Sequence, residues 1–452
     1  MKRVAAACLV GSTIEAYDFL IYSTAAALVF PTVFFPHLSR AMATVASMGT
    51  FATVFVSRPL GAVVFGYFGD RLGRKKTLAA TMLIMAVSTV MVGLVPSAAA
   101  IGVAAPLILI ALRLPQGFAF GGEWAGSALL SAEFAPAAKR GFYGMFTVLG
   151  AGTGLVLSSL TFLGVNYTIG EHSPAFLQWG WRLPFLLSAA LIVIALYVRL
   201  NINETPVFTE EKARNLIRKV PLAELLRLQS REIILAAGSF LGCYSFNFMA
   251  NTYLSTYAHT QLGYSRNVIL AVGVLGGLVY IAFIAFSAIL CDRVGRRRMM
   301  LIGWAACLPW SFIVLPLVDT GKPICYAVAT VSTLAAAGIA FGPTAAFVPE
   351  LFATRYRYSG AALATNLAGI AGGALPPLTA GALQATYGSK AIGLMLATIA
   401  AASLVCTYLL PETTGTTLLS TQGVDDASPG RLRRIRGRPD ASTPSADQAL
   451  TT

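Results

Sequence analysis

Runs of apolar residues, each about twenty residues or longer, follow one another along almost the whole chain. That length matches the ~20 helical residues needed to cross the hydrocarbon core of a bilayer. Only 12% of the residues are charged, which is about half the ~25% that is usual in soluble proteins. The sequence therefore predicts an all-α integral membrane protein with twelve transmembrane helices. We place these helices near residues 4–35, 43–68, 77–96, 102–130, 142–165, 183–200, 232–258, 267–290, 299–318, 323–348, 360–383 and 389–410.

The loop that follows the second apolar run recurs half a chain length later. It reads GYFGDRLGRKK from Gly66, and CDRVGRRRM from Cys291 repeats its order of Asp, Arg, apolar residue, Gly and Arg. Asp70 and Asp292 lie 222 residues apart. A period of half the chain indicates that one unit has been duplicated. Two acidic pairs keep nearly the same offset, namely Glu133 with Glu350 and Glu204 with Glu412.

The duplication predicts two six-helix bundles, one over residues 1–200 and the other over residues 231–411. The segment between them, residues 201–230, is polar and of mixed charge, and we interpret it as a cytoplasmic linker. Residues 412–452 are rich in Pro, Ser, Thr, Gly and Arg, which is typical of a disordered basic tail.

The cations are distributed unevenly between the two sides that twelve spans create. Most of the 33 Lys and Arg residues fall on the side of both termini and the linker. Cytoplasmic loops carry such an excess, so we expect both termini in the cytoplasm and the chain in the plasma or inner membrane. Because these cations lie in short loops between apolar runs, we do not expect nucleic-acid binding. Five cations fall on the other side: Arg40, Arg182, Arg266, Lys322 and Lys390.

Charged residues lie inside the predicted helices of the first half. A charge at the bilayer centre costs a few kcal/mol, so each such residue is a functional hypothesis. At about 1.5 Å of rise per residue, all but one lie roughly 15–23 Å from the cytoplasmic end. We expect them to face one cavity, where opposite charges neutralise one another. They are Glu15, Asp18, Arg58, Glu123 and, farther out, Arg113.

The roles of these residues follow from their chemistry. Burial raises the pKa of a carboxyl and a nearby Arg lowers it, so a carboxyl under both influences can exchange a proton. We therefore assign Glu15, Asp18 and Glu123 to proton coupling. Arg113 and Arg58 are candidate substrate-binding residues, since a guanidinium binds a carboxylate in a bidentate geometry. The alternative is a structural ion-pair network that holds helices 1, 2 and 4 together.

The second half offers polar and aromatic groups in place of charges. Such groups orient a small polar ligand through hydrogen bonds. The alternative for each of them is helix packing or an interfacial position. The candidates for ligand contact are Tyr244, Asn247, Asn251 and Asn366.

The repeated loop predicts a gate. Asp70 follows a helix end, where its side chain can pair with Arg71 or Arg74 and with the positive N-terminus of a nearby helix. Such a cluster would hold the halves together in one state and release them in the other. The alternative is that the cations only fix orientation in the membrane. The remaining gating candidates are Glu133 and Arg140 in the first half and Asp292, Arg293 and Arg296 in the second half.

Several of these segments resemble a known family. GYFGDRLGRKK is similar to the loop between helices 2 and 3 of the major facilitator superfamily. IEAYDFLIY from Ile14, RLPQGFAFGGEWAGS from Arg113 and EFAPAAKRGFYG from Glu133 resemble its metabolite:proton symporter branch. That branch includes proline/betaine, ketoglutarate, citrate and shikimate carriers. The resemblance covers about residues 10–412 and implies two six-helix bundles, alternating access and proton-coupled uptake.

The resemblance also implies roles for particular residues. It points to Glu15, Asp18, Arg58, Arg113 and Glu123 as central and to Asp70 with Arg74 as the gate. The same segments contribute the candidate substrate-binding residues Tyr17, Tyr22 and Gln116. Ser12, Ala16 and Ala125 stand where the branch usually has other residues, which puts the substrate in doubt rather than the class.

The resulting prediction is a proton-coupled symporter that takes up a small organic acid or a zwitterionic osmolyte. The alternative is a drug or metabolite efflux antiporter on the same fold. We expect no enzyme activity, because the scattered histidines His37, His172 and His259 supply no acid/base or metal-binding set. We expect no cofactor or metal, with the proton gradient as the energy source. The expected partners are a small-molecule substrate, protons and membrane lipid, and the expected state is a monomer.

Overall fold

A computed structural model describes residues 1–170, 173–201, 222–353 and 356–415. The side chains of Asp70 and Arg74, most of the predicted linker and almost all of the predicted tail lie outside the described part of the chain. The predictions made for them therefore stay predictions.

Six long helices form the first half. Gly73 separates the second of these helices from the third. Its φ of 103° is a backbone conformation that residues other than Gly rarely adopt. Gly295 makes the same break, with φ at 111°, at the matching position of the second half. The six helices are α1 (Lys2–Leu28), α2 (Arg40–Leu72), α3 (Arg74–Leu94), α4 (Ala104–Phe134), α5 (Arg140–Ile169) and α6 (Leu183–Leu200).

The second half repeats this arrangement, but several of its helices are interrupted. Two of them contain a π-helical turn, and two consist of paired segments. They are α7 (Leu222–Phe248, Met249–Tyr253 and Leu254–Thr260), α8 (Arg266–Val294), α9 (Arg296–Trp310 and Val314–Asp319), α10 (Pro323–Phe341 and Thr344–Leu351), α11 (Arg357–Ala368, Gly369–Ala374 and Leu375–Tyr387) and α12 (Ser389–Leu409).

The prediction of twelve transmembrane helices is confirmed. Eleven spans in the described ranges are individually long and apolar enough to cross a membrane. The twelfth is α9, which falls short because residues 311–313 form a turn. Pro316 has no N–H to donate to the carbonyl four residues earlier, which accounts for the interruption.

Two predicted boundaries differ from the structure. The first apolar run does not form one helix to residue 35, because α1 ends at Leu28 and a short helix follows at Phe30–Phe34. The predicted linker is shorter at its end, because α7 already begins at Leu222. Non-helical angles at Gln229 (φ −126°, ψ 24°) separate this first stretch from the apolar remainder of α7. The apolar-length criterion missed the first stretch because residues 222–228 are too few to cross a membrane and include the charged residues Glu224 and Arg227.

The outer surface of the bundle is apolar. Leu60, Val193 and Leu394 are each more than half exposed, although they sit in long helices. In a membrane such side chains face lipid, which is as apolar as they are. The polar and charged side chains are buried between helices instead, and they define the candidate site.

Candidate functional site

A cavity of about 100 Å³ lies between the two halves, and we call it the central cavity. It is small compared with the ~300–1,000 Å³ of common ligand sites. Both halves therefore lie close around it in this state. Its lining comes from α1, α4, α5, α7, α8 and α10 and includes Ser12, Glu15, Phe19, Phe120, Trp124, Thr147, Cys243, Tyr244, Asn247, Phe248, Tyr280 and Phe341.

Arg58 lies beside the central cavity and links the two halves. Its Nε donates to Asn366 Oδ1 at 2.9 Å, and its Nη2 donates to the Tyr244 hydroxyl at 3.1 Å. Its guanidinium also stacks 4.1 Å from the centre of the Phe120 ring. Asn366 in turn donates to the Gly121 carbonyl at 2.7 Å. The structure thus brings together one predicted residue of the first half and two of the second.

Asp18 belongs to a second polar group, buried inside the first half. Its carboxylate accepts hydrogen bonds from Ser188 and from the Thr89 hydroxyl, the latter at 3.2 Å. The Gln116 amide donates to Thr89 Oγ1 at 2.9 Å, and Arg113 Nη1 donates to Gln116. A continuous chain of hydrogen bonds therefore joins Asp18 to Arg113. We call these five residues the first-half network.

Arg113 is completely buried in this network. Its guanidinium stacks 3.9 Å from the centre of the Tyr22 ring, and the Tyr22 hydroxyl donates to Thr50 at 2.8 Å. Among the described residues, Arg113 Nε and Nη2 have no hydrogen-bond partner. Tyr17 donates to the Pro184 carbonyl at 2.8 Å and thereby ties α1 to α6.

The expectation that all five charges face one cavity is wrong. Glu15 lines the central cavity, whereas Asp18 bonds α3 and α6 and Arg113 packs between Gln116 and the Tyr22 ring within the first half. Glu123 is fully buried on α4 and does not line the cavity. Asn251 donates to Asn247 at 3.3 Å. It lines a separate small pocket near Leu28, where α1 ends.

Charged residues cluster at the end of the bundle that carries Gly73, Lys139 and Gly295, which we call the basic end. Arg140 Nη1 lies 3.1 Å from Glu350 Oε1, and Arg296 Nε lies 2.9 Å from Glu350 Oε2. Arg140 belongs to the first half and Glu350 to the second. This ion pair therefore joins the halves.

Asp292 adds a second contact between the halves at the basic end. Its carboxylate accepts the backbone N–H groups of Gly141 and Phe142 at 2.8 and 2.9 Å, at the N-terminus of α5. It also lies 3.6 Å from Arg296 Nη2. This is the geometry that the sequence predicts for Asp70, since a carboxylate is stabilised at a helix N-terminus. We call Arg140, Asp292, Arg296 and Glu350 the basic-end cluster.

The other gating candidates are placed less centrally. Arg71 donates to the hydroxyl of Tyr67 at 2.6 Å on its own helix. Arg293 is exposed to solvent, and Glu133 is half-buried near the end of α4. The gating roles of these residues stay predictions.

The opposite end of the bundle also holds the halves in contact. The hydroxyls of Ser23 and Thr252 lie 2.7 Å apart, and Asn166 donates to Asn267 at 3.1 Å. The central cavity therefore lies between two regions of contact.

Comparison with known proteins identifies the family. A profile of the Major Facilitator Superfamily matches residues 19–376. The chain belongs to the major facilitator superfamily.

The matched relatives are transport proteins. The chain is 41% identical to the inner membrane metabolite transport protein YhjE of Escherichia coli, over 91% of this chain and 94% of that protein. It is 37% identical to the shikimate transporter of Escherichia coli, over 84% and 87% of the two chains. It is 31% identical to the proline/betaine transporter of Salmonella typhimurium, over 91% and 84%.

The fold agrees with a solved member of the superfamily. The proton:xylose symporter XylE, bound to 6-bromo-6-deoxy-D-glucose, superposes with a TM-score of 0.73 over 92% of this chain and 97% of XylE, at 20% identity. The predicted resemblance and the twelve-helix fold are confirmed. Like its superfamily relatives, this chain is a transporter and not an enzyme.

The basic-end cluster includes a residue that sequence reasoning did not select. Glu350 accepts a hydrogen bond from Arg140, forms an ion pair with Arg296, and accepts the Thr413 hydroxyl at 2.6 Å. Glu412 accepts the backbone N–H groups of Arg296 and Arg297 at 2.9 and 3.1 Å and so caps α9. Both acidic residues are members of the half-length repeat. That repeat is the sequence signal that could have identified them as candidate gating residues.

Proposed function

We propose that this protein is a secondary active transporter that uses the proton gradient to take up a small polar metabolite, an organic acid or a zwitterion, by alternating access. The observation that carries the proposal is the central cavity, which lies between two repeated halves and is lined by Glu15. Transporters of repeated architecture bind substrate at such an interface near the bilayer midplane. Relatives named for metabolite, shikimate and proline/betaine transport support the substrate range.

The proton-coupling residues on this proposal are Glu15, Asp18 and Glu123. Carboxylates buried at membrane depth are rare and serve as proton relays in pumps and transporters. Asp18 is joined to Arg113 by hydrogen bonds through Thr89 and Gln116. A change of charge at Asp18 can therefore alter the position of a guanidinium two helices away.

The gate on this proposal is the basic-end cluster. Opening the cavity toward the basic end requires separation of Arg140 from Glu350 and of Asp292 from the N-terminus of α5. Opening toward the other end requires separation of Ser23 from Thr252. We place the basic end in the cytoplasm of an inner-membrane protein, because cytoplasmic loops carry the excess of Lys and Arg.

Uptake into proteoliposomes with an imposed inward proton gradient tests the proposal. The compounds are proline, glycine betaine, ketoglutarate, citrate, shikimate and benzoate. We expect accumulation of at least one compound, and a protonophore should abolish it. Protein-free liposomes serve as the control. If no compound accumulates and a preloaded one leaves the vesicles under the same gradient, the efflux antiporter replaces the symporter.

A further inference from the structure

The walls of the central cavity are predominantly aromatic. The rings come from both halves, and Glu15 is the one acidic side chain among the lining residues of the described structure. Hydrogen-bonding side chains are few by comparison. The aromatic lining consists of Phe19, Phe120, Trp124, Tyr244, Phe248, Tyr280 and Phe341.

Not all of these rings are open to a ligand cation. Arg58 already stacks 4.1 Å from the Phe120 ring centre and 5.3 Å from that of Tyr244. Tyr280 and Phe341 form a parallel pair with ring centres 6.2 Å apart, and no described cation stacks on either. These two rings, Trp124 and Phe248 are therefore the rings of the lining on which no described cation stacks.

We propose that the substrate is a zwitterion whose positive end is an alkylated ammonium group. This inference rests on the proposed function and narrows its substrate class. Aromatic rings attract a cation through their quadrupole, and alkylated ammonium ligands are commonly recognised in aromatic cages. The ammonium lies between Trp124, Tyr280 and Phe341, and the carboxylate of Glu15 neutralises its charge.

The negative end of the zwitterion can be bound by hydrogen-bond donors of the second half. The Tyr244 hydroxyl and the Asn247 amide line the same cavity and can donate hydrogen bonds to a carboxylate. Arg58 lies directly behind Tyr244 and supplies a positive charge. The cavity thus offers one acidic side chain in its lining and one guanidinium that contacts the lining through Tyr244.

Two other substrate classes fit this lining less well. A tricarboxylate would place several negative charges beside Glu15 with a single adjacent guanidinium, Arg58. A polyhydroxylated acid requires many hydrogen-bonding groups, because each buried hydroxyl without a partner is costly. The lining offers mainly aromatic surface, which alkyl groups on nitrogen can cover.

The assignment also bears on the coupling proton. A carboxylate that balances an ammonium must remain ionised while the substrate is bound. Glu15 then serves substrate binding, and the coupling proton resides on Asp18 or Glu123. This divides the three proton-coupling candidates into one cavity residue and two residues outside the cavity lining.

A pair of ligands that differ in charge alone tests the inference. Glycine betaine and 3,3-dimethylbutanoate have the same shape, but the second has carbon in place of the quaternary nitrogen. We would titrate the full chain in lipid nanodiscs with each ligand by calorimetry. We expect glycine betaine to bind at least about tenfold more tightly, given the strength of a desolvated cation–π contact. Equal affinities, or binding of shikimate or citrate alone, would overturn the inference.

Substitutions of one cavity tyrosine test whether the aromatic rings bind glycine betaine. Tyr280→Leu removes one available ring and should weaken glycine betaine binding by about 3- to 30-fold. Tyr280→Phe keeps the ring and should bind like the wild type, which separates loss of the ring from misfolding. Tyr326→Leu is the matched control, because Tyr326 is equally buried but does not line the cavity. Equal weakening by Tyr280→Leu and Tyr326→Leu would contradict the assignment.

The two proposals fail in different ways. If glycine betaine binds but no proton gradient drives its accumulation, the substrate class stands and proton-coupled uptake fails. If another compound accumulates with the gradient and glycine betaine neither binds nor competes, proton-coupled uptake stands and the substrate class is wrong.

Discussion

At the scale of single residues, the structure separates two kinds of buried charge. Glu15 and Arg58 lie at the interface between the halves, in or beside the central cavity. Asp18 and Arg113 lie inside one half and are joined through hydroxyl and amide side chains. The first pair can meet a substrate directly, and the second pair can respond to protonation without touching it.

We expect Asp18→Asn to uncouple transport. Asparagine keeps the shape of the side chain and can still bond Thr89 and Ser188, but it cannot take up a proton. The variant should equilibrate the substrate without accumulating it. The measurement is proton-driven uptake alongside exchange of labelled for unlabelled substrate in the absence of a gradient. Intact accumulation by the variant would remove Asp18 from the coupling mechanism.

We expect Glu350→Gln to open the basic end. The change removes two ionic contacts, and breaking one side of a buried ion pair costs about 3–5 kcal/mol. Cys291 reports the opening, because it is fully buried and packs against Gly141 under the cluster. Its labelling by a maleimide, read by mass spectrometry, should become faster.

Glu224→Gln is the matched control for this experiment. Glu224 accepts the Tyr356 hydroxyl at 2.6 Å, and both residues belong to the second half. Its loss should leave the labelling rate of Cys291 unchanged. If Glu350→Gln also leaves that rate unchanged, the cluster does not hold the basic end closed.

At the scale of helices, close packing within the first half depends on residues without side chains. A Cβ placed on Gly61 of α2 would come within 1.8 Å of the Phe118 carbonyl oxygen of α4, and one on Gly117 within 2.0 Å of the Val54 carbonyl oxygen. Small residues permit such contacts between membrane helices. This contact fixes α2 against α4 and thereby positions Arg58 beside the cavity.

We expect Gly61→Ala to destabilise the fold by about 1–3 kcal/mol, the usual cost of overpacking. Gly49→Ala on the same helix should be neutral or stabilising, because no atom lies within 4 Å of its added Cβ. Thermal unfolding of the two variants in the same detergent provides the measurement. Equal melting temperatures would mean that α2 can shift to accept the methyl group.

At the scale of the whole molecule, contacts hold the halves together at both ends of the bundle. The basic end uses ion pairs and a helix N-terminus, whereas the other end uses hydroxyl and amide side chains. Neutral hydrogen bonds are weaker than charge-assisted ones. The two ends therefore differ in how strongly they resist opening.

We expect the double variant Ser23→Cys with Thr252→Cys to lock the cavity when oxidised. The two hydroxyl oxygens lie 2.7 Å apart, so sulfur atoms in their place can form a disulfide. Transport should stop on oxidation and return on reduction, as measured by uptake in proteoliposomes. Each single variant serves as a control and should not respond to the oxidant. Full activity of the cross-linked protein would show that these helices do not separate during transport.

Much of the fold was predictable from the sequence for simple reasons. Helix length against bilayer thickness gave the twelve helices, and the repeated loop gave the two halves. The stretch before Gln229 was missed because it is short and carries two charges, so the apolar-length criterion does not detect it. The contacts of Asp292 were predictable in kind because an acidic residue after a helix end favours a helix N-terminus. Glu350 belongs to the repeat, but the sequence does not predict its ion pairs because its two arginine partners come from distant segments.

The sequence by itself determined the membrane class, the number of helices, the duplication and the superfamily, because each depends on length, periodicity or a local motif. Only the tertiary structure decided which buried charges share a space. Glu15 and Asp18 are three residues apart, so they lie within about 60° of each other on α1. Glu15 nevertheless faces the central cavity, and Asp18 faces the contact with α3 and α6. The packing of neighbouring helices decides which surface each residue faces, and no spacing within α1 can reveal it.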